Sequence, residues 1–528
     1  MNINVKSNLH HHCSGKVLFC VAVLFVMVLV LAPFVAEFSN NISPFVSGAT
    51  DKVISNEVEL RNAVKNAAGS SVIALDKDIT LTEPLVIPAK KDVTLTSNND
   101  NDKFFKLIGA NNQTTIMVND GGALTLAGIV VTHNSGATGR GVTVNQGGKL
   151  TMSMGIIAGN IIPSERIFVG DKDREDGGGV YNCGSFSMSG GLIANNTAAH
   201  GGGVHVSHWG SFRLSGGCII NNEAYYTGAG VEVEYFSCMN SSGSFSMSGS
   251  FSMSGGVIAN NTAQVYGGGV SNWAIFDMSG GLIADNNGNN QGGGVCVYHG
   301  SFSMSGGLIA NNTAYSGGGV YEFFGSDFSM SGGVISNNTA IDGGGVYIDS
   351  EFTMSDGEIS GNTATNGGGV CIGNGIFKLT GGKILDNTAK RNGGGICIFY
   401  ENLDALFVSN GAIFSNNYAS TAYDRDPTHD KLYQSQIDNT VTWTTPFTQG
   451  YNNYDISYTK GTQIPTTNNR PNTVDNGAFD IEQYITMIGV GIATFMAIAL
   501  IPLICIAIGI ILFLRKQKSA EKKRDIQT

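Results

Sequence analysis

Apolar and polar residues alternate in short bursts along most of this chain, as in Phe302-Ser303-Met304, Val346-Tyr347-Ile348-Asp349 and Val370-Cys371-Ile372. A period of two places the apolar members on one face of a strand and the polar members on the other. The bursts recur in a fixed unit: Gly-Ser-Phe-Ser-Met-Ser-Gly-Gly-Leu-Ile-Ala-Asn-Asn-Thr-Ala, a variable turn, then Gly-Gly-Gly-Val. The glycine triplet precedes Val180, Val204, Val270, Val295, Val320, Val346, Val370 and Ile396, and is altered slightly before Val231. Most spacings are 24 to 27 residues, and the longer interval from Val231 to Val270 contains a local duplication.

Short strands between glycine and asparagine turns, about 25 residues per unit, predict one coil of a right-handed parallel β-helix per repeat. The predicted fold is therefore an all-β solenoid. Glycine density and the missing 3.6 period exclude a helical solenoid. Three residues after a recurring apolar position stands Asn160, Asn196, Asn222, Asn261, Asn286, Asn312, Asn338, Asn362, Asn387 and Asn417. Stacked coils would bring these amides about 4.8 Å apart, as a structural ladder. The ends differ, as solenoid ends must. Residues 50–114 are expected to form an N-terminal cap and first coils, with an amphipathic helix over 57–68 turning Val58, Leu60, Val64 and Ala68 to one side. Repeats fill 115–420, a C-terminal cap 421–461 and a stalk 462–484. A charged loop interrupts one coil at 162–176.

Two apolar segments flank this region. Residues 1–36 hold Lys6, Lys16 and an apolar run over 17–32, which predicts a signal peptide or an uncleaved signal anchor. Residues 485–514 carry no charge over 30 positions, enough for one transmembrane helix. The basic tail 515–528 follows at once, which places that end in the cytoplasm and the repeats outside. The expected location is thus a single-pass cell-membrane protein.

Composition narrows the field. With 73 glycines and 10 prolines but no collagen period, the chain is turn-rich without being a triple helix. Residues 37–484 carry 22 basic and 39 acidic side chains, a balance that makes nucleic acid an unfavourable partner. The nine cysteines show no metal spacing, and no cofactor motif is present. Cys371 and Cys397 share one repeat phase, so both free, partly exposed thiols and a disulfide are open readings.

The repeats resemble those of the polymorphic outer-membrane proteins of chlamydiae and adhesin-like β-helix proteins of other microbes. Gly343-Gly344-Gly345-Val346 is similar to that family's Gly-Gly-Ala-Ile, and Phe414-Ser415-Asn416-Asn417 matches its Phe-x-x-Asn. The resemblance covers about 115–420 and implies adhesion. The chlamydial family ends in a membrane β-barrel, whereas this chain ends in an apolar segment and a basic tail, which fits a plasma membrane better. Sequons at Asn112, Asn195, Asn240, Asn260, Asn311 and Asn337 would permit N-glycosylation there, or arise because the repeat contains Asn-Asn-Thr.

An enzyme on this architecture needs converging acids on one face. Asp349, Glu351, Asp356 and Glu358 are the local candidates, though no adjacent coil offers a matching arginine or histidine pair; a solvated face is the other reading. His10, His11 and His12 lie in the signal region. A ligand surface is sought at the first and third positions after each triplet valine, which should point outward. They hold Tyr181, His205, Trp273, Tyr298, Tyr321, Phe323, Tyr347 and Phe399, with Glu232, Glu234 and Gly373 as breaks. An exposed stripe from Trp273 to Tyr347 would suit sugar rings or a partner's apolar patch; the other reading is that the rings only reinforce the sheet. The ranking is an adhesin binding extracellular glycan or protein, then a polysaccharide lyase or hydrolase, then a passive coat.

Overall fold

In the computed structural model the alternating bursts are strands, and outside one side hairpin each pairs in parallel with its counterpart in the next repeat. The structure describes residues 52–98, 104–163, 176–240, 243–399, 405–409, 411–420, 442–443 and 453–457. Segments 1–36, 462–484, 485–514 and 515–528 lie outside the described residues, as do Glu165 and its neighbours in the charged loop and most of 421–461. Among the described residues, no helix is long and apolar enough to cross a membrane.

The fold is a parallel β-solenoid. Its most regular sheet has twelve strands of three residues each, from Leu85–Ile87 to Ile396–Ile398, so it counts about twelve coils. In the repeat region this sheet is built from the Gly-Gly-Gly-Val segments. A larger sheet is formed by the Phe-x-Met and Leu-Ile-Ala segments, such as Ser301–Met304 and Leu308–Ala310. Short bridges after the Asn-Asn pair make a third side.

Identical residues stack because the Phe-x-Met segments pair in register from coil to coil, any shift falling at the bulges that follow them. Phe186, Phe212, Phe251, Phe276, Phe302, Phe328, Phe352 and Phe377 lie ring on ring, 4.3–5.0 Å between centroids and 3–13° between planes. All eight are buried, beside columns of methionine, isoleucine and valine. The duplicated segment causes no slip. Its first copy, Gly243–Ser248, pairs antiparallel with Tyr235–Asn240 as a side hairpin, and the second, within Ser250–Ala259, takes the place in the coil.

The asparagines form a continuous buried column. Asn312 Nδ2 donates to Asn338 Oδ1 (3.0 Å) and to the Ile283 carbonyl (3.0 Å), while its own Oδ1 accepts from Asn286 N (3.0 Å) and Nδ2 (3.0 Å). Every polar atom of the side chain is satisfied. The same pattern links Asn160, Asn196, Asn222, Asn261 and Asn286, and continues through Asn338, Asn362 and Asn387 to Asn417. His133 Nδ1 stands 2.8 Å from Asn160 Oδ1 at the first end.

The residue before each ladder asparagine has a separate task. Asn195, Asn221, Asn260, Asp285, Asn311, Asn337, Asp386 and Asn416 all have φ between 53° and 56°, and Gly159 and Gly361 replace them at 69° and 65°. This left-handed corner admits glycine and, among other residues, chiefly Asn and Asp. The Asn-Asn pair is thus a corner followed by a ladder rung. Sequon residues Asn112, Asn195, Asn260, Asn311 and Asn337 are exposed.

At the N-terminal end the helix runs Glu57–Lys65, shorter than expected, capped by the Asn56 side chain on Glu59 N (3.0 Å). It buries Leu60, Ala63 and Val64, whereas Val58 is 69% exposed. Ala63 lies on the same helical face as Leu60 and Val64, three and one positions away, and takes the place assigned to Val58.

Candidate binding groove

The outer face of the twelve-stranded sheet does not open to solvent as the alternating pattern led one to expect. At the first outward position after the triplet valine, His205 is 2% exposed, Tyr321 3%, and Cys296, Cys371 and Cys397 are buried as well. The cause is the first glycine of each triplet. Gly201, Gly228, Gly267, Gly292, Gly317 and Gly343 all have φ of 62–66°, and a Cβ on Gly317 would lie 2.8 Å from Tyr321 Cα. That bend folds the preceding residues back beside the strand.

The result is a groove-like strip along the coils, with a largely covered floor between two half-buried edges. Its floor is the row Tyr181, His205, Glu232, Ser271, Cys296, Tyr321, Tyr347, Cys371 and Cys397, in register from strand to strand. One wall is the residue before each triplet, including His200, Thr227, Tyr266, Gln291, Ser316 and Asp342, which bridge in parallel. The opposite rim is the third position, including Glu234, Trp273, Tyr298, Phe323 and Asp349. Tyr266 and Tyr298 reach across it, their rings 6.5 Å apart.

The aromatic residues expected to form one exposed stripe fall into two rows. On the rim, Trp273 and Tyr298 lie 4.0 Å apart between ring centroids, and Tyr298 and Phe323 4.2 Å. All three are half-buried, and Phe324 beside them is 70% exposed. On the floor, Tyr321 stacks on half-buried Tyr347 at 5.1 Å, and Tyr181 on His205 at 5.1 Å. Tyr321 donates its hydroxyl proton to Asp349 Oδ2 (2.7 Å); burial and that carboxylate hold its phenol well above the usual range. Trp273 Nε1 donates to Ser271 Oγ (3.1 Å).

The four acids of the sequence candidate do not converge. Asp349 faces the groove and also accepts from Asn374 N and Nδ2. Glu351 and Glu358 sit on the larger sheet, paired with Lys378 (2.6 Å) and Lys383 (4.0 Å) of the next coil. Asp356 accepts from the Gly357 amide. This is an ion-paired outer face, at an angle to the groove.

A different cluster was missed. Glu232 and Glu234, read only as breaks in the stripe, lie beside His205, His208, Thr227 and Trp273. The i, i+2 spacing of the two acids was visible in the sequence, but the histidines belong to the preceding coil and only register joins them. At the end of the groove Arg140 lies over the Tyr181 ring (4.8 Å) and donates to the Asp176 carbonyl.

Among the described residues the cysteines are free: Cys183 and Cys218 are partly exposed, and Cys296, Cys371 and Cys397 buried, the last three against the expectation of partial exposure. Cys371 and Cys397 face each other in register, and burial with the neighbouring thiol raises the Cys371 thiol well above its usual range. Among the described residues no cluster of His, Cys, Asp and Glu could hold a metal ion. The chain matches no family model, no curated protein and no solved structure.

Proposed function

We propose that the chain is a membrane-anchored, adhesin-like surface protein whose groove binds an elongated extracellular glycan. The observation that carries this reading is the rim of half-buried rings Trp273, Tyr298 and Phe323 on three consecutive coils, beside the half-buried Tyr347. A surface that repeats once per coil offers the same contacts to successive units of a chain-like ligand. Aromatic groups with polar neighbours such as Asp349 and Ser271 are the composition that sugar rings favour, apolar on one side and hydrogen-bonding on the other.

The anchoring half of the reading rests on the sequence. The uncharged segment 485–514 with its basic tail supports a single transmembrane helix with the repeats outside, and 1–36 supports export. A right-handed coil is proposed from the general preference of parallel crossovers. The likeness of the repeats to chlamydial surface proteins supports adhesion by analogy.

The test is binding of the purified full chain to an array of neutral and acidic glycans. Replacing Trp273, Tyr298 and Phe323 with serine should weaken binding at least about tenfold, on the scale of a hot-spot loss, with the circular-dichroism spectrum unchanged. Normal binding by a folded triple variant places the contact surface elsewhere. In parallel, protease added to intact cells should remove an epitope near residue 300 and spare the C-terminus; the reverse pattern refutes the topology.

A further inference from the structure

Three of the five histidines among the described residues, His200, His205 and His208, stand on one stretch of the groove. The next coil brings two acids to the same place. Glu232 occupies the floor in register between His205 and Ser271. Glu234 follows on the same strand face, where alternate positions lie about 6.6 Å apart. Its Oε2 is 3.4 Å from His205 Nε2 and 3.7 Å from His208 Nδ1.

Glu232 is the anomalous member. It is 5% exposed, and its Oε2 makes no hydrogen bond. Other coils place Ser271, Cys296 or Tyr321 at the same position, so the fold does not require an acid there. A buried carboxyl with an oxygen unsatisfied opposes stability, which points to a use.

We propose that Glu232 and Glu234 are the acid and the base of a glycoside-hydrolysing site in this groove. The proposal rests on the reading of the groove as a glycan site. Glu232 gives its proton to the bridging oxygen as the bond from that oxygen to the anomeric carbon breaks. Glu234 takes a proton from a water molecule whose oxygen bonds to the same carbon. One water is consumed, two shorter sugar chains leave, and proton exchange with solvent restores both carboxyls. His205 and His208 are positioning residues that hold Glu234.

The surroundings supply the protonation states. Burial pushes the Glu232 carboxyl up to about 8, and the charge of Asp176 adds to this, against hydrogen bonds from Thr227, Ser271 and Trp273. It therefore keeps its proton at neutral pH, as a general acid must. Glu234 Oε2 lies within hydrogen-bond reach of His205 Nε2 (3.4 Å), with His208 Nδ1 at 3.7 Å. Trp273, next along the rim, begins the ring row that would hold the chain beside the acids. Carboxylates in the groove and the acidic balance of residues 37–484 favour a neutral polysaccharide over a polyanion.

The experiment incubates the full chain with soluble β-glucan, xylan, galactomannan and chito-oligosaccharides, measuring binding and release of reducing ends separately. Wild type should cleave at least one of these. Glu232→Gln and Glu234→Gln should each lower kcat by about 10²–10⁴-fold, the usual share of an acid or base, while binding changes little. Glu358→Gln, on the ion-paired outer face away from the groove, should cleave as wild type does. The wild-type rate should fall above a pH of about 8, set by Glu232, and His205→Asn should lower kcat while leaving KM nearly unchanged, as loss of a positioning residue would. Binding without any release of reducing ends overturns the catalytic assignment and leaves the glycan reading standing. Absence of binding to every glycan removes both. If Glu232→Gln fails to fold, the rim variant Glu234→Gln decides alone: full activity in that variant refutes the pair.

Discussion

Asn417 Nδ2 donates to Oδ1 of Asp455 at 3.0 Å, and this bond closes the amide column at its far end. Asp455 is buried, and its neighbours run beside the last triplet: Gly395 N and Ile396 N donate to the Tyr454 and Asp455 carbonyls. A carboxylate can only accept, so it terminates a column in which each amide donates to the next. Asp455→Leu should leave a buried donor on Asn417 without that partner and cost about 1–3 kcal/mol. Hydrogen exchange should show the loss in the last coils and leave the first ones protected.

An interior rung should cost more. Asn312→Leu strips both Asn286 N and Asn286 Nδ2 of their acceptor, at about 1–3 kcal/mol for each buried donor. Urea unfolding of this variant beside Asp455→Leu tests the order; equal losses would mean that the column does not act rung by rung.

Glu322 makes stability fall as pH rises. It is fully buried, inside the core between Val297 and Ile348, and neither carboxyl oxygen forms a hydrogen bond of good geometry. Burial, with help from Asp327, lifts its carboxyl to about 9, only partly offset by the Ser350, Phe328 and Glu351 amides. The folded state thus holds this proton more tightly than the unfolded state. The penalty is absent below pH 4.5 and grows until the pH passes about 9. Glu322→Gln should be more stable than wild type at pH 7, by roughly 3 kcal/mol at most from 1.36 kcal/mol per pH unit. The gap in melting temperature should close as the pH falls to 4.5.

The left-handed corner predicts a glycine–alanine asymmetry. Asn337→Gly should be nearly neutral, since Gly361 already fills the same corner one coil on. Asn337→Ala should cost about 1–2 kcal/mol, because Cβ meets the carbonyl at that φ with no side-chain bond to offset it. Chemical denaturation of the two variants distinguishes this from any effect of a lost sequon, which both share.

Gly317→Ala tests the bend that makes the groove. The added methyl would stand 2.8 Å from Tyr321 Cα, a backbone atom that cannot rotate away. Protection of the Tyr321 and Tyr347 amides should drop while the Phe302 strand stays protected. Uniform protection would show that the bend is not what holds the groove.

The repeat region was legible because a solenoid translates sequence period directly into neighbours. One repeat advances one coil, so Asn286, Asn312 and Asn338 stack as the spacing implies, and Phe276, Phe302 and Phe328 do the same. Alternation correctly separates Val320 in the core from Tyr321 on the outer face. What alternation cannot express is where an outer face ends up. Tyr321 is buried because a positive φ at Gly317, four residues earlier, turns the chain back beside it. The same limit hid the acids: Glu232 and Glu234 look like interruptions of an aromatic pattern until His205 and His208 arrive from the coil before. Nor can alternation show that Asp349, Glu351, Asp356 and Glu358, close in sequence, divide between two faces, with lysines from the next coil on Glu351 and Glu358. The sequence by itself determined the strands, the stacking columns and the period, since these are local or repeat once per coil. Only the tertiary structure decided which outward residues share an enclosed space, because that depends on the angle between successive faces of a coil, set by single glycines.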